Sequence, residues 1–388
     1  MGDFDRYINT LSESPFLSVF LLQVYICACY NLQVDCIKNI RPLIKTFAVK
    51  KIQKNLIFAI IVLAGIFLIL EACQRVNTYY HYWRDVKKFK SELLEIVSPI
   101  DRREYVLKKG GKFTTRDGIL YQINEKGLRG AERDYNKSFG TYRILMLGDS
   151  YLFGWGLEWD DTLPVILEKR FLDTGYDGKR CEVINAGVFG YNTAQELEFL
   201  KKEGVKYSPD AVIIYFIMND LEPQWNAPRH PKYEYEYCAS WFLDHLSRRL
   251  NKLISKITKN SEPFFVTYRN RQNTEYLRAL DKEKYKWNSC RAALSEFVVY
   301  CQERNIKLYL IIVPDISQNL NKYALGRIHK EVSGAVRSNA VPVLDLFETL
   351  KEIDSKKLWV SKDDAHPNRY ANELIADKIH SFLMQNKS

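Results

Sequence analysis

The sequence predicts an α/β domain built on a parallel sheet, and three observations carry that prediction. Five short apolar runs recur from residue 143 onward: RILMLG, CEVINAG, AVIIYFIMND, IKLYLIIVPD and VPVLDLF. They are nearly continuous in aliphatic residues rather than alternating, as in strands buried on both faces. Helix-like segments lie between most of them, at Asp161–Phe171, Thr193–Lys202 and Glu275–Arg304. Thr193 and Glu196 read as a capping box, which marks a helix start independently of periodicity. Strands alternating with helices imply a sheet covered on both faces, with right-handed crossovers.

The elements before this domain are of another kind. The run NLIFAIIVLAGIFLILEAC, Asn55 to Cys73, has an uncharged core from Leu56 to Leu70, bounded by Lys54 and Glu71. With its ends at the interfaces, residues 55–73 read as a transmembrane helix. Lys38, Arg41, Lys45, Lys50, Lys51 and Lys54 precede it, and Arg75 follows closely. Lys and Arg stay on the cytoplasmic side, so the chain after residue 73 is expected outside the cytoplasm at a cell membrane. Phe16–Tyr30 is a second apolar stretch, interrupted by Ser18 and Gln23, and reads as another span or a membrane-surface helix. Either way the basic loop stays inside. Residues 1–54 thus form an N-terminal segment, and Val49 onward also resembles the start of a signal anchor.

The net charge of +10 on 388 residues raises the question of nucleic acid. Many of the basic residues crowd beside the apolar run, and no basic stripe with interleaved aromatics stands out elsewhere, so no nucleic-acid partner is expected. Among eight cysteines no pair has metal-ligand spacing. Cys181, Cys238, Cys290 and Cys301 lie in the exported part and read as buried free thiols; Cys290 and Cys301 share one predicted helix, ~16 Å apart along its axis, too far to bond.

Residues 74–140 read as a polar, aromatic juxtamembrane helix followed by small β-elements between turn glycines at 110, 111, 118, 127 and 130. The α/β domain occupies 141–388. One long connection, 221–274, carries the patch PKYEYEY and a helix-like stretch Ala239–Ile257, and reads as a cap or side wall.

Ligands in such sheets bind beyond the carboxyl ends of the strands. Strand one ends in Gly148-Asp149-Ser150, strand two in NAGVFGYN with Gly190, and strand three in Asn219-Asp220. After strand five comes SKDDAHPN, with Asp363 and His366. A serine, a backbone donor, an amide, a carboxylate and an imidazole on one edge are what acyl transfer requires. Serine needs an adjacent base, the imidazole moves the proton, and the carboxylate orients the imidazole. The assignment is Ser150 as nucleophile, His366 as general base and acid, and Asp363 as orienter. The Ser150 and Gly190 backbone N–H groups and the Asn219 amide are the oxyanion donors. No metal or cofactor is called for. Asp149 reads as a brace of its turn and Asp364 as solvent-facing. Trp155 and Trp159 read as core or rim. His81, His230, His245, His329 and His380 read as structural or exposed.

These four blocks resemble those of the SGNH/GDSL hydrolases. LGDS is similar to the nucleophile block, NAGVFGYNT to the glycine block, FIMND to the asparagine block and DDAHPN to the Asp-x-x-His block, in the family's order. The lead-in YQINEKGLRG…TYRILMLGDSYLFGWG is similar to that of membrane-anchored or exported members. The resemblance runs from Arg143 to the C-terminus. It implies a flavodoxin-like α/β/α sandwich with a five-stranded parallel sheet in the order 2-1-3-4-5. Its spacing, three residues before the histidine, favours Asp363 over Asp364. One position departs: Ile217 stands where the third block usually has glycine. A β-branched residue resists positive φ, so a required left-handed conformation there would displace Asn219 and weaken the oxyanion hole.

The expected function is a membrane-anchored serine esterase acting on an acylated small molecule, an O-acylated glycan or a lipid ester. The alternatives are an O-acyltransferase using the same triad and a non-hydrolytic envelope assembly protein. Ile217 and the long insertion motivate the last.

Overall fold

The structure is a computed structural model. It describes residues 49–387 apart from Pro99, Arg116, 222–275, 282–283, 338–339 and 362–363, with no account of side chains at 49–56, 77–87 and 284–285. The stretch Phe16–Tyr30, the basic loop up to residue 48, the 221–274 insertion beyond Leu221, Cys238 and Asp363 lie outside the described residues. The chain divides into two units, Met1–Arg75 and Val76–Ser388.

One helix, α1 (Val49–Leu93), contributes to both units. Within it Ile57–Val76 is 20 residues long with a mean hydropathy of 2.5 and is only 6% buried. It is long and apolar enough to cross a membrane. Ile57, Phe58, Ile61, Leu63 and Ile69 are all exposed.

The second unit begins with two small antiparallel hairpins, β1 (Leu94–Ile96) with β2 (Tyr105–Leu107) and β3 (Lys112–Thr114) with β4 (Leu120–Gln122). Then come β5 (Thr141–Gly148), α2 (Ser150–Phe153), α3 (Leu163–Arg170), β6 (Arg180–Gly187), α4 (Thr193–Lys202) and β7 (Ala211–Phe216). The remainder is α5 (Lys284–Gln302), β8 (Lys307–Ile312), α6 (Gly326–Arg337), β9 (Val343–Asp345), a short hairpin β10 (Trp359–Ser361) and β11 (Asp364–Pro367), and α7 (Arg369–Gln385).

Strands β6-β5-β7-β8-β9 form one five-stranded sheet, parallel throughout. Counted along the domain, this is the expected order 2-1-3-4-5. Successive strand residues face opposite sides, and each side has its own core. Leu145, Leu147, Ile184, Val212, Ile214, Leu310 and Ile312 pack with Leu197 and Leu200 of α4, Leu294 and Phe297 of α5, and Ile328 and Val332 of α6. The alternate residues Ile144, Met146, Val183, Ile213, Tyr215 and Ile311 pack with Ile166 and Leu167 of α3 and Ile375 and Ile379 of α7. Every residue of β5 and β7 is buried, the physical reason their runs lack polar alternation. Cys290 and Cys301 share α5; with Cys181 they are buried and unbridged.

One local expectation is corrected. The capping box of α4 is formed by Asn192 and Gln195, not by Thr193 and Glu196: Asn192 Oδ1 accepts from the Ala194 and Gln195 N–H groups, and Gln195 Oε1 accepts from Asn192 N–H. Asn is as good a cap as Thr, and moving the box by one residue turns Glu196 into the protein.

Candidate active site

The site forms where β5, β6 and β7 end. Gly148 of β5 pairs with Gly187 of β6, and the chain turns at once into α2. Gly187 has to be small, because a Cβ there would lie 2.3 Å from the Phe153 nitrogen. That close approach brings the start of α2, and so Ser150, over the strand ends. Asp149 caps α2, its Oδ1 accepting from Tyr151 N–H at 2.9 Å.

Ser150 Oγ lies 2.8 Å from His366 Nε2, although 216 residues separate them in sequence. On the other side of the ring, Nδ1 is 2.6 Å from Asp364 Oδ1. Asp364 Oδ1 also accepts from the His366 backbone N–H at 3.0 Å. With a carboxylate at Nδ1, the network assigns the imidazole proton to Nδ1 and leaves Nε2 to accept from the serine hydroxyl. Burial works to raise the Asp364 pKa. The hydrogen bond and charge of His366, together with a hydrogen bond from the Trp155 side chain, overcome it and hold the carboxyl below its ordinary value. Asp364 is therefore ionised at neutral pH.

Among the described residues the carboxylate against the histidine is Asp364, and the expectation that Asp364 faces solvent is corrected. The physical reason is local. Asp364 starts β11 and its side chain folds back over the residue two positions on, an Asx-type turn that directs the oxygen at both His366 nitrogens on that side. Asp363 itself is outside the described residues.

Asn219 sits in a 3₁₀ turn, Met218–Leu221, directly after β7. Its Nδ2 donates to Asp149 Oδ2 at 2.7 Å, and Ser150 Oγ reaches the same oxygen at 3.2 Å. Asp149 braces the turn as read, and it also joins Asn219 to the serine. Burial pushes the Asp149 pKa up, outweighing the bonds from Tyr151, Asn219 and Ser150. Ile217 does not take a positive φ. It is buried in the core on the α3 and α7 side. Gly190 does take a left-handed φ of +64°, beyond the end of β6. Its loop is held by Tyr105 Oη, which donates to the Phe189 carbonyl at 2.6 Å.

One neighbour, Arg129, escapes the sequence reading, and a second, Trp155, carries more than the core or rim place read for it. Arg129, from the lead-in, is 2% exposed and donates to the Phe153 and Gly154 carbonyls at 2.9 and 2.7 Å and to the Leu157 carbonyl. The first two of these carbonyls end α2, so a cation in the GLRG stretch holds the helix that begins at Ser150. Trp155 lies with its ring 6.2 Å from the His366 ring and 5.6 Å from Phe89, which follows from α1 into the second unit. His329, by contrast, is buried between Tyr323 Oη (2.9 Å) and Asp345 (2.9 Å), as a structural histidine would be.

A serine, an imidazole and a carboxylate in hydrogen-bond series at the carboxyl edge of a parallel sheet make up the constellation of acyl-transferring hydrolases. The chain belongs to the GDSL-like Lipase/Acylhydrolase family, whose sequence profile matches residues 146–374, more than half its length. No curated protein matches the chain. Among solved structures it is similar to the lipase/acylhydrolase from Enterococcus faecalis, at 18% identity and a TM-score of 0.39, covering 64% of this chain and 97% of that one. It is also similar to the psychrotrophic esterase EstA from Pseudoalteromonas sp., at 17% identity and a TM-score of 0.38, covering 63% and 97%. The acetyl xylan esterase AlAXEase gives 14% identity and a TM-score of 0.39, covering 62% and 98%.

Proposed function

We propose that this protein is a membrane-anchored serine esterase working through Ser150, His366 and Asp364. The observation that carries the reading is the unbroken series from Ser150 Oγ through the imidazole to Asp364, at 2.8 and 2.6 Å. Ser150 Oγ attacks the ester carbonyl as its proton passes to His366 Nε2. Asp364 stabilises the imidazolium that results. The carbonyl oxygen, now negative, is received by the Ser150 and Gly190 N–H groups and by the second N–H of the Asn219 amide, the first being committed to Asp149. Collapse expels the alcohol, which takes the proton from His366. A water activated by the same imidazole then releases the acid from the Ser150 acyl-enzyme. No step calls on a metal.

The acyl donor is an O-acylated glycan or a lipid ester. Ile57–Val76 supplies the bilayer anchor. The basic residues before it put the acylhydrolase domain on the extracytoplasmic side. The binding-only reading rested on the long insertion and on Ile217, whose φ is not positive. An acyltransferase would share the covalent intermediate and differ in delivering the acyl group to a sugar hydroxyl.

The test is covalent labelling by a serine-directed phosphonate. The expected adduct is on Ser150, absent in Ser150→Ala, with ester hydrolysis lost in the same variant. Hydrolysis that survives Ser150→Ala overturns the reading. Product analysis with and without a sugar acceptor separates hydrolase from transferase. A reporter fused after residue 80 reads the topology, and cytoplasmic activity of that reporter refutes the orientation.

A further inference from the structure

Behind the asparagine turn lies a group of carboxyls that the mechanism does not use. Asp220 is 2% exposed, and its carboxylate fastens the turn from inside. Oδ2 accepts from Ile217 N–H at 2.7 Å and Oδ1 from Thr193 Oγ1 at 3.2 Å, while Asp220 N–H donates to the Ile217 carbonyl at 3.1 Å. The direction of Asn219, one residue earlier, depends on these bonds. Glu196, projecting inward from α4, is 1% exposed, and neither of its carboxylate oxygens has a hydrogen-bond partner among the described residues. Its charge would face those of Asp220 and Asp149. The uncharged neighbours on the α5 side are the Cys290 thiol and Thr193, which meet each other at 3.5 Å.

An ionised carboxylate with no partner in a low-dielectric interior is far more costly than a neutral acid. Two carboxyls that sense one another cannot both ionise freely. A proton therefore stays with the pair. It rests on Glu196, because the Asp220 oxygens already accept two hydrogen bonds and those of Glu196 accept none. Burial pushes both groups well above the ordinary carboxyl range, in agreement with this placement.

We propose that Glu196 is a positioning residue for the reaction: a neutral carboxylic acid whose proton lets Asp220 hold the turn that carries Asn219. Loss of that proton puts two adjacent negative charges beside Asp149 and loosens the turn. This role in turnover rests on the esterase reading; the protonation state does not.

The test uses the full chain in detergent. Infrared spectra in D₂O at neutral pH are expected to show the C=O stretch of a protonated carboxyl, resolved above the amide I envelope. It shifts when glutamate is labelled with ¹³C, stays when aspartate is labelled, and disappears in Glu196→Gln. Turnover of wild type falls at alkaline pH as the pair deprotonates, and in Glu196→Gln, whose amide has no such proton to lose, that fall is lost. The isotope shift needs no variant, so a Gln protein that fails to fold leaves the test intact. Absence of the band, or a band insensitive to glutamate labelling, overturns the proposal. Phosphonate labelling at Ser150 is read separately, so failure of the esterase reading and failure of this one are told apart.

Discussion

His366 Nδ1 and Asp364 Oδ1 lie 2.6 Å apart, two residues from each other on one short strand. The same oxygen accepts the His366 main-chain N–H, so the carboxylate is held by the backbone as well as by the ring. Replacing it with an amide, Asp364→Asn, allows the side chain to accept from the backbone but favours the wrong imidazole tautomer. The expected fall in kcat is on the order of 10³–10⁴-fold. Asp363→Asn is expected to stay within a few-fold of wild type. Steady-state kinetics of the two variants side by side decides between the carboxyls.

Asp364 also implies a pH dependence of stability. Its pKa is lower in the folded protein than in the unfolded chain. Its contribution is then present above the unfolded value, near ~4, and is lost as pH falls through the folded value. Denaturant unfolding of wild type and Asp364→Asn is expected to differ at neutral pH and to converge in strong acid. A difference that persists unchanged at low pH contradicts the sign.

Ile217→Gly restores the residue usual at that position of the family block. Ile217 is 7% exposed, packs in the core and has no positive φ. The glycine is therefore expected to destabilise the protein by about 3 kcal/mol, through cavity and backbone entropy, without raising kcat. Asn219→Ala, two residues on, is expected to lower kcat ~10²-fold or more with little change in KM, since an oxyanion donor acts in the transition state. Thermal unfolding and kinetics read both.

Arg129→Met removes a guanidinium that donates to three carbonyls while filling similar space. Buried carbonyls left unpaired cost ~1–3 kcal/mol each. Loss of several kcal/mol of stability is expected, with slower labelling of Ser150 in whatever protein folds. Arg129→Lys recovers only part of this, because an ammonium lacks the planar fork.

Trp155→Phe keeps the edge-to-face ring contacts with Phe89 and Phe189 and removes the indole N–H from Asp364. A hydrogen bond to a charged group is worth ~1.5–3 kcal/mol, so kcat is expected to fall about tenfold or more with KM nearly unchanged. Equal kcat in the two proteins shows that the tryptophan serves packing alone.

Much of this was legible without coordinates. The five strand runs and their helices declare themselves through local periodicity, which follows from how each backbone disposes its side chains. Ser150 and His366 were legible because ligands gather at strand ends and both lie at such ends. The DDAH stretch was not resolved in the same way: spacing does not tell two adjacent aspartates apart, and the direction of the Asp364 side chain comes from the turn into β11. A one-residue shift of a helix cap had the larger consequence, since Glu196, read as a capping partner, is instead a buried acid.

The sequence by itself determined the α/β alternation, the apolar run Asn55–Cys73 and the candidate serine and histidine of the site, all consequences of spacing along a chain. Only the tertiary structure decided that Asp364 meets the imidazole, that Arg129 holds the end of α2, and that Ile217 is buried without a positive φ. Those choices depend on contacts between residues far apart in sequence and on the directions of side chains in turns. Hydrophobic periodicity carries no information about either.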